Sequence, residues 1–229
     1  MKRFMLIGIF FWLTLLLVSC GRSQQEVDIG LSMEEIMAQI KSLSPKDEDF
    51  RFNPPAGWSE NLLKEAKIVA ASEGESVDSL RKIIDGSGAT LWKSNRYTPS
   101  PEVLIDLTRP VQFNRLVIFN RFSESRGTGG GNNATRELQV WISPDSNINH
   151  LKKLATFTLS GPNPVCFKLK NKGQVCVFID NKEPDIIETT PTTARLVKLV
   201  FKSAYWGEVA LEEWKTSVAL GEFMMFYAP

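Results

Sequence analysis

A short loop in the first half of the chain combines residue types that can close a turn or bind an ion. Residues 83–94 read IIDGSGATLWKS, so a carboxylate, two glycines and hydroxyl groups stand between an apolar pair and a tryptophan. A two-residue hairpin turn would need only Asp-Gly. A phosphate loop would continue with Gly-Lys-Ser/Thr, which does not follow here. The open interpretations are a turn in which Asp85 caps its own backbone and an ion site.

The first nineteen residues have the composition of an export signal. Lys2 and Arg3 precede an uncharged, mostly apolar run of about 15 residues, which is short of the roughly 20 that a membrane-spanning helix needs. Residues 1–19 are therefore predicted to be a secretory signal peptide. The closing Leu-Val-Ser-Cys resembles the lipobox of bacterial lipoproteins, which implies that Cys20 is acylated and becomes the first residue after cleavage.

An acylated Cys20 would attach the protein to a lipid bilayer, because each buried CH₂ of an acyl chain contributes about 0.8 kcal/mol. An ordinary signal peptide with a chance cysteine and a retained single-span anchor are the alternatives. Gly21 and Arg22 follow the cysteine, and nothing there resembles the inner-membrane retention signal of enteric bacteria. The predicted location is the bacterial cell envelope, lipid-anchored in the outer membrane or at the cell surface.

The charge balance argues against a nucleic-acid partner. The 229 residues include 27 Lys and Arg against 26 Asp and Glu, and loss of residues 1–19 would remove two of the basic ones. The remaining chain is near neutral and has no long basic run, whereas nucleic-acid-binding domains cluster Lys and Arg. Its length suffices for one domain of ordinary size.

Two cysteines remain besides Cys20. Cys166 and Cys176 flank FKLKNKGQV, which is typical of two short strands around a turn near Asn171. Such a hairpin would place the cysteines opposite one another, and an exported protein can form disulfides. A cross-strand disulfide and two buried free thiols both remain open, because cysteine is also a common core residue.

Residues 20–60 are predicted to be a tether, a short amphipathic helix and a linker. Ser32 and Glu35 have capping-box spacing, and apolar residues recur at helical intervals until Pro45 ends the helix. The helix would dock on the main domain or bind a partner. Residues 45–57 are predicted to be the linker.

Residues 61–229 are predicted to form one all-β domain. Short apolar or alternating runs recur there, and clusters of Gly, Pro, Asn or Asp separate them, which is typical of a β-sandwich. The predicted strands are 67–72, 103–107, 116–120, 138–143, 155–159, 166–169, 175–179, 196–201 and 219–226.

Short motifs follow one another in this domain in a characteristic order. They are NLL (61–63), IVAAS (68–72), IDG (84–86) with Thr90 and Trp92, VLIDL (103–107), FNRLVI (113–118), RELQVWISPD (136–145), ARLVKL (194–199) and GEFMMF (221–226). The succession resembles the discoidin, or coagulation-factor type C, family, which includes galactose-binding-like carbohydrate-binding modules. The resemblance implies an eight-stranded, galactose-binding-like jelly-roll sandwich.

The resemblance also implies a metal ion. In many carbohydrate-binding members the loop that corresponds to residues 83–94 wraps a structural calcium. Carried over, the ligands are Asp85, Thr90 and Glu222 together with backbone carbonyls. Calcium takes 6–8 oxygen ligands, and a glycine-rich loop can turn carbonyls inward. The family often has a second acidic residue where Ser87 stands, so the turn remains the alternative.

The family further implies that ligands bind to loops at one end of the sandwich. Three loops, 93–97, 121–133 and 203–207, carry rings that could stack on a sugar and planar polar groups that could bind its hydroxyls. Each residue could instead be structural; Arg121, for example, could pair with Glu124. The candidates are Arg96, Tyr97, Arg121, Asn132, Tyr205 and Trp206.

Catalysis is not predicted. His150 is the only histidine, so a Ser-His-Asp or Cys-His arrangement has nothing to use. The acid pair Glu212 and Glu213 is more typical of a solvated face than of a glycosidase cleft. The sequence therefore predicts a non-catalytic, membrane-anchored lipoprotein that binds a glycan. A protein-interaction or structural adhesion role in the envelope is the alternative.

Overall fold

The computed structural model describes residues 26–95, 98, 100–123, 133–169, 173–205 and 217–229. Short 3₁₀ helices cover Asp47–Phe50, Arg81–Ile83 and Ile148–His150. The two α-helices are α1 (Met33–Leu43) and α2 (Val77–Leu80). The strands are β1 (Glu26–Leu31), β2 (Lys67–Ala71), β3 (Trp92–Lys93), β4 (Glu102–Phe119), β5 (Thr135–Ser143), β6 (Lys152–Thr158), β7 (Asn163–Leu169), β8 (Gly173–Ile179), β9 (Asp185–Ala204), β10 (Ala219–Leu220) and β11 (Glu222–Phe226).

Two long strands, β4 and β9, run through both layers of a sandwich. Residues 102–106 of β4 pair with β2 and with 196–200 of β9, whereas residues 111–118 pair with 185–194 of β9. The second half of β4 also pairs with β11. The register shifts at the bend between the halves, where Thr108 has a φ of 67°. One layer therefore has the order β2-β4-β9-β5-β6, and the other has the order β11-β4-β9.

Side chains from both layers meet in one core. Ile105 of the five-stranded layer and Phe223 of the three-stranded layer are both fully buried in the same apolar cluster. Trp92 packs against Phe201 there, with 4.9 Å between the ring centroids. The predicted all-β sandwich is confirmed. The runs predicted as strands 103–107 and 116–120 are two halves of β4, because the apolar alternation does not reveal that the backbone continues through the bend.

A third, smaller sheet has the order β1-β7-β8. β1 runs parallel to β7, and α1 packs Ile36 against Phe167 in a separate apolar cluster. The predicted capping box is present: the Glu35 amide donates to Ser32 Oγ, and the Ser32 amide donates to the Glu35 carboxylate. The prediction of a tether immediately before the helix was wrong for residues 26–31. They form β1, because the β7-β8 hairpin offers an edge for pairing.

Cys166 and Cys176 face each other on β7 and β8 and form a disulfide, with the sulfur atoms 2.10 Å apart. Of the two alternatives that the sequence left open, the structure has the cross-strand bridge. The bond ties the strands of the hairpin against which β1 and α1 pack. It therefore stabilises the part of the molecule that adjoins the N-terminal segment.

The predicted linker is instead a packed arm over the outer face of the three-stranded layer. Phe50 is 1% exposed and meets Phe119 edge-to-face, with ring centroids 6.1 Å apart. Phe52 and Trp58 pack on Phe226 next to them. The linker interpretation was wrong. Polar residues and prolines dominate the composition of this part of the chain, and that composition does not reveal that its three aromatic side chains pack on the domain. In the described part of the chain, no helix is both long and apolar enough to cross a bilayer.

Candidate functional site

Oxygen atoms from three segments converge at the end of the sandwich where β4 finishes. The segments are the 3₁₀ helix at 81–83, the loop after it and the start of β11. The Gly221 amide donates to Phe119 O at 2.9 Å, which fixes the entry into β11. The next side chain, Glu222, reaches the loop, where the Gly86 amide donates to its Oε1 at 3.2 Å.

The Thr90 hydroxyl is surrounded by more acceptors than it can serve. Its Oγ1 lies 3.0 Å from Lys82 O, 2.9 Å from Ser87 O and 3.1 Å from Asp85 Oδ1. A hydroxyl has one proton to donate. At least two of these oxygens therefore face Thr90 without a proton between them. A cation among them would remove that conflict.

Glu222 is a fully buried carboxyl beside a second acid. It is 0% exposed, and its Oε2 has no hydrogen-bond partner among the described residues. Burial raises the pKa of Glu222 to about 9, and the neighbouring Asp85 adds to the rise. The raised pKa means that Glu222 holds a proton at neutral pH, and a cation bound between Glu222 and Asp85 could take the place of that proton. Asp85 itself is exposed, so the cluster is open to solvent.

These donors fit calcium, a hard cation that takes oxygen ligands. The structure brings together the three predicted side chains, Asp85, Thr90 and Glu222, and adds the carbonyls of Lys82 and Ser87. Ser87 thus contributes its backbone oxygen, so the lack of an acidic side chain there removes a charge but leaves that oxygen. No three His, Cys, Asp or Glu side chains cluster as a metal site in the described ranges. Sequence reasoning missed the carbonyls because any residue type supplies one.

Gly86 and Gly88 of the loop each require glycine, but for different physical reasons. Gly86 has a φ of +83°, a left-handed conformation that favours glycine. At Gly88, a Cβ would lie 2.6 Å from Phe50 O and 2.8 Å from the Phe119 ring. The loop therefore touches the N-terminal arm directly, and glycine is what allows the contact.

Replacing Gly88 by alanine is expected to destabilise the protein by about 1–3 kcal/mol, the usual cost of overpacking. The control is Gly57→Ala, where φ is +90° but no atom lies within 4 Å of the added Cβ; strain alone costs about 1 kcal/mol there. Urea unfolding of both variants measures the difference. Equal losses would show that the arm does not press on the loop.

The bases of the three predicted ligand loops lie side by side. The Ser94 amide donates to Val218 O at 2.9 Å, and the Ala219 amide donates to Asn133 O at 2.7 Å. The Tyr205 amide donates to Ala134 O at 2.8 Å. Arg121, the first residue of the second loop, donates to the carbonyls of Gly88 and Ala89, so the base of that loop adjoins the loop that carries Asp85 and Thr90. Arg96, Tyr97, Asn132, Trp206 and Cys20 lie outside the described residues, and their roles stay predictions.

Arg121 is not the exposed sugar-binding group that the sequence suggested; Glu124, its alternative partner in the sequence analysis, lies outside the described residues. Its Nε lies 3.1 Å from Asp180 Oδ2, and its guanidinium carbon stands 3.9 Å from the Phe50 ring centroid. Its Nη1 also donates to the carbonyls of Gly88 and Ala89. These contacts hold Arg121 inside the structure, and Asp180, which no sequence pattern marked, is its counter-ion.

Tyr205 is partly exposed and fixed at its polar end. Its hydroxyl donates to Leu159 O at 2.6 Å. A Cβ on Gly161 would lie 3.2 Å from the tyrosine ring, so the ring packs closely over that glycine. The residue therefore forms part of the wall beneath the loops, and its predicted role as a sugar platform is limited to the exposed remainder of the ring.

Residues 67–214, more than half of the chain, match the F5/8 type C domain. The chain belongs to the F5/8 type C family. The resemblance inferred from the order of the motifs is thereby confirmed. The family match begins at β2. The strand β1, the helix α1 and the packed arm therefore precede the matched part of this F5/8 type C protein. No curated protein sequence is similar to the chain.

Solved structures share the F5/8 type C fold at low identity. The CBM32-3 module of a family 31 glycoside hydrolase from Clostridium perfringens is 14% identical, with a TM-score of 0.50 over 77% of this chain and 100% of that one. The family 32 CBM of C. perfringens NanJ, solved in complex with galactose, is also 14% identical, with a TM-score of 0.47 over 72% and 97% of the two chains. At this identity the likeness concerns the fold.

Proposed function

We propose that this protein is a non-catalytic, membrane-anchored lipoprotein that binds a glycan through the loops at one end of its F5/8 type C domain. The observation that carries the proposal is that the bases of the three loops lie side by side, joined by backbone hydrogen bonds at Ser94, Asn133 and Tyr205. Ligand-binding residues are commonly placed on loops that a rigid scaffold positions.

The residues on these loops suit a sugar. Tyr97 and Trp206 can stack on the apolar face of a pyranose, and Arg96 and Asn132 can bind its hydroxyls with planar polar groups. The solved structure with a TM-score of 0.50 is a CBM32 module of a family 31 glycoside hydrolase. Glycans are therefore the first class of ligand to test.

A calcium ion would serve this site structurally. Asp85, Thr90, Glu222 and the carbonyls of Lys82 and Ser87 would hold it. The bound ion would supply the positive charge that the two neighbouring carboxyls need to ionise together. Glu222 would then fix the start of β11, and with it the adjoining base of the loops.

The proposed anchor places the domain near a bacterial outer membrane or cell surface. Cys20 lies six residues before Glu26, where β1 begins. An extended chain covers at most about 3.3–3.6 Å per residue, so β1 would lie within roughly 20 Å of the acylated cysteine. The small sheet that contains β1 would then be the part of the molecule closest to the bilayer.

Protein interaction is the second candidate, and the exposed face of α1 favours it. Met33 and Met37, one helical turn apart, are 57% and 58% exposed. Methionine is common at adaptable protein-binding surfaces. A partner that bound there would be lost from co-purification when both residues are replaced by glutamine.

Addition of a glycan ligand to the purified protein is expected to slow the hydrogen exchange of backbone amides in the loops 93–97, 121–133 and 203–207. A panel of glycans that includes galactose is the probe. Tyr97→Ala and Trp206→Ala are each expected to weaken binding about tenfold or more, since a stacked ring contributes on the order of 1 kcal/mol or more.

The matched control is Phe178→Ala, which removes an aromatic residue on β8 that is 36% exposed. It should leave glycan affinity unchanged. No binding to the panel at millimolar concentration would overturn the glycan proposal. Binding that survives both loop substitutions would move the site away from the loop end.

A further inference from the structure

The outer face of the five-stranded layer carries an open groove of about 330 Å³. This volume falls within the range of small-ligand sites, about 300–1,000 Å³. The described residues that line the groove lie outside the loops 93–97, 121–133 and 203–207. Among its lining residues are Ala71, Ser72, Leu104, Ile148, Asn149 and Lys198.

A tryptophan extends the groove along one row of the sheet. Leu104 pairs with Lys198 in the register of β4 and β9, and Lys198 pairs with Trp141 in the register of β9 and β5. Their neighbours Val103 and Leu199 are fully buried and face the core, so the row faces outward because side chains alternate along a strand. Trp141 is partly exposed beside the groove.

Apolar side chains border the groove on the solvent side. Ile148 is 60% exposed and lines the groove together with the partly exposed Leu104 and Leu151. Grouped apolar exposure, unlike single exposed residues, marks binding surfaces. The groove thus combines an apolar border with a ring at its edge.

The charges in the groove cancel and therefore favour a neutral occupant. Lys198 Nζ lies 2.6 Å from Glu102 Oε2, and the two side chains are 28% and 44% exposed. An apolar partner that covered this pair would strip it of water at a cost of several kcal/mol. Hydroxyl groups can instead donate to the carboxylate and accept from the ammonium group. A polyhydroxylated, uncharged ligand satisfies both the pair and the apolar border.

We propose that this groove is a second glycan subsite, which takes one or two rings of an extended neutral oligosaccharide. Trp141 stacks on a ring, while Lys198 and Glu102 bind hydroxyls. The inference rests on the proposed glycan-binding function and deepens it. A protein with both sites would contact several rings of one glycan chain.

The test is two-dimensional NMR of the purified protein, titrated with neutral hexasaccharides of galactan, glucan and mannan. The signals to follow are the amides of Leu104 and Lys198, the indole N–H of Trp141 and the amides of the three loops. Lys198→Met and Trp141→Ala are each expected to weaken the sheet-face response about tenfold. The control Lys64→Met breaks an exposed pair with Glu60, 3.4 Å long, on another surface, and should change nothing.

The outcomes separate this inference from the function on which it rests. Shifts confined to the loops would keep the proposed function and overturn the groove. Shifts confined to the sheet face would establish the groove and overturn the loop end. No shift with any hexasaccharide would overturn both. Sheet-face shifts that persist unchanged in Lys198→Met and Trp141→Ala would also overturn the groove as described.

Discussion

Calcium is expected to raise the unfolding temperature of the purified protein by about 8–16 °C relative to the same protein in chelator. A ligand that binds only the folded state at a thousand times its Kd stabilises it by about 4 kcal/mol, and each kcal/mol shifts a domain of this size by about 2–4 °C. The physical reason is the set of facing oxygens around Thr90 and the buried Glu222 carboxyl, which one cation would satisfy together. Calorimetry with calcium and with chelator measures the shift.

The decisive variant is Glu222→Gln, which keeps the shape of the side chain and removes its charge. It is expected to abolish the calcium response while leaving the metal-free protein at least as stable as wild type, because a neutral amide suits the buried position better. Glu60→Gln is the control, since that side chain is 85% exposed. A calcium shift retained in Glu222→Gln would remove this residue from the ligand set. No shift in wild type would make the loop a turn closed by Asp85, whose Oδ1 already accepts from the Ser87 amide at 2.9 Å.

Replacing Arg121 by methionine is expected to destabilise the protein by about 3–5 kcal/mol, the usual cost of removing one partner of a buried ion pair. Arg121 and Asp180 are only 15% and 12% exposed, so the buried Asp180 carboxylate would lose the guanidinium that compensates its charge and keep the Phe122 amide as a donor. The carbonyls of Gly88 and Ala89 would lose their donor at the same time. Urea unfolding measures the loss.

Two further variants show whether the ion pair is the cause. Arg81→Met removes an arginine whose pair with Asp78, at 3.6 Å, is exposed on both sides, and it should cost less than about 1 kcal/mol. The double variant Arg121→Met with Asp180→Asn should be more stable than the sum of the single losses predicts, because the partners are coupled. Strict additivity would show that Arg121 acts through its other contacts, which are the Phe50 ring and the carbonyls of Gly88 and Ala89.

Much of the fold is encoded in local patterns. The capping box at Ser32 fixes the start of α1, and alternation in residues 102–106 separates core from surface. The disulfide could be predicted as one of two alternatives, the other being two free thiols, because a short hairpin places Cys166 and Cys176 opposite one another. Patterns of this kind depend on neighbours in the chain, so one sequence suffices to find them.

Local patterns could not predict the surroundings of Arg121. Asp180 is 59 positions away in the chain, and nothing near either residue marks them as partners. The composition around residues 45–58 is typical of a linker, so it gave no sign that the rings of Phe50, Phe52 and Trp58 pack on the domain. Only the exposed apolar face of the three-stranded layer, which forms from β4 and β11 together, explains why these rings pack there.

The sequence by itself determined the all-β sandwich, the family and the side chains Asp85, Thr90 and Glu222 as candidates for one site, because these follow from local periodicity and from the order of motifs. Only the tertiary structure decided what those side chains meet. The carbonyls of Lys82 and Ser87, the orphaned oxygen of Glu222 and the row from Leu104 to Trp141 all depend on distances between segments that are remote in the chain. Such distances are set by strand register and core packing, which no single stretch of residues encodes.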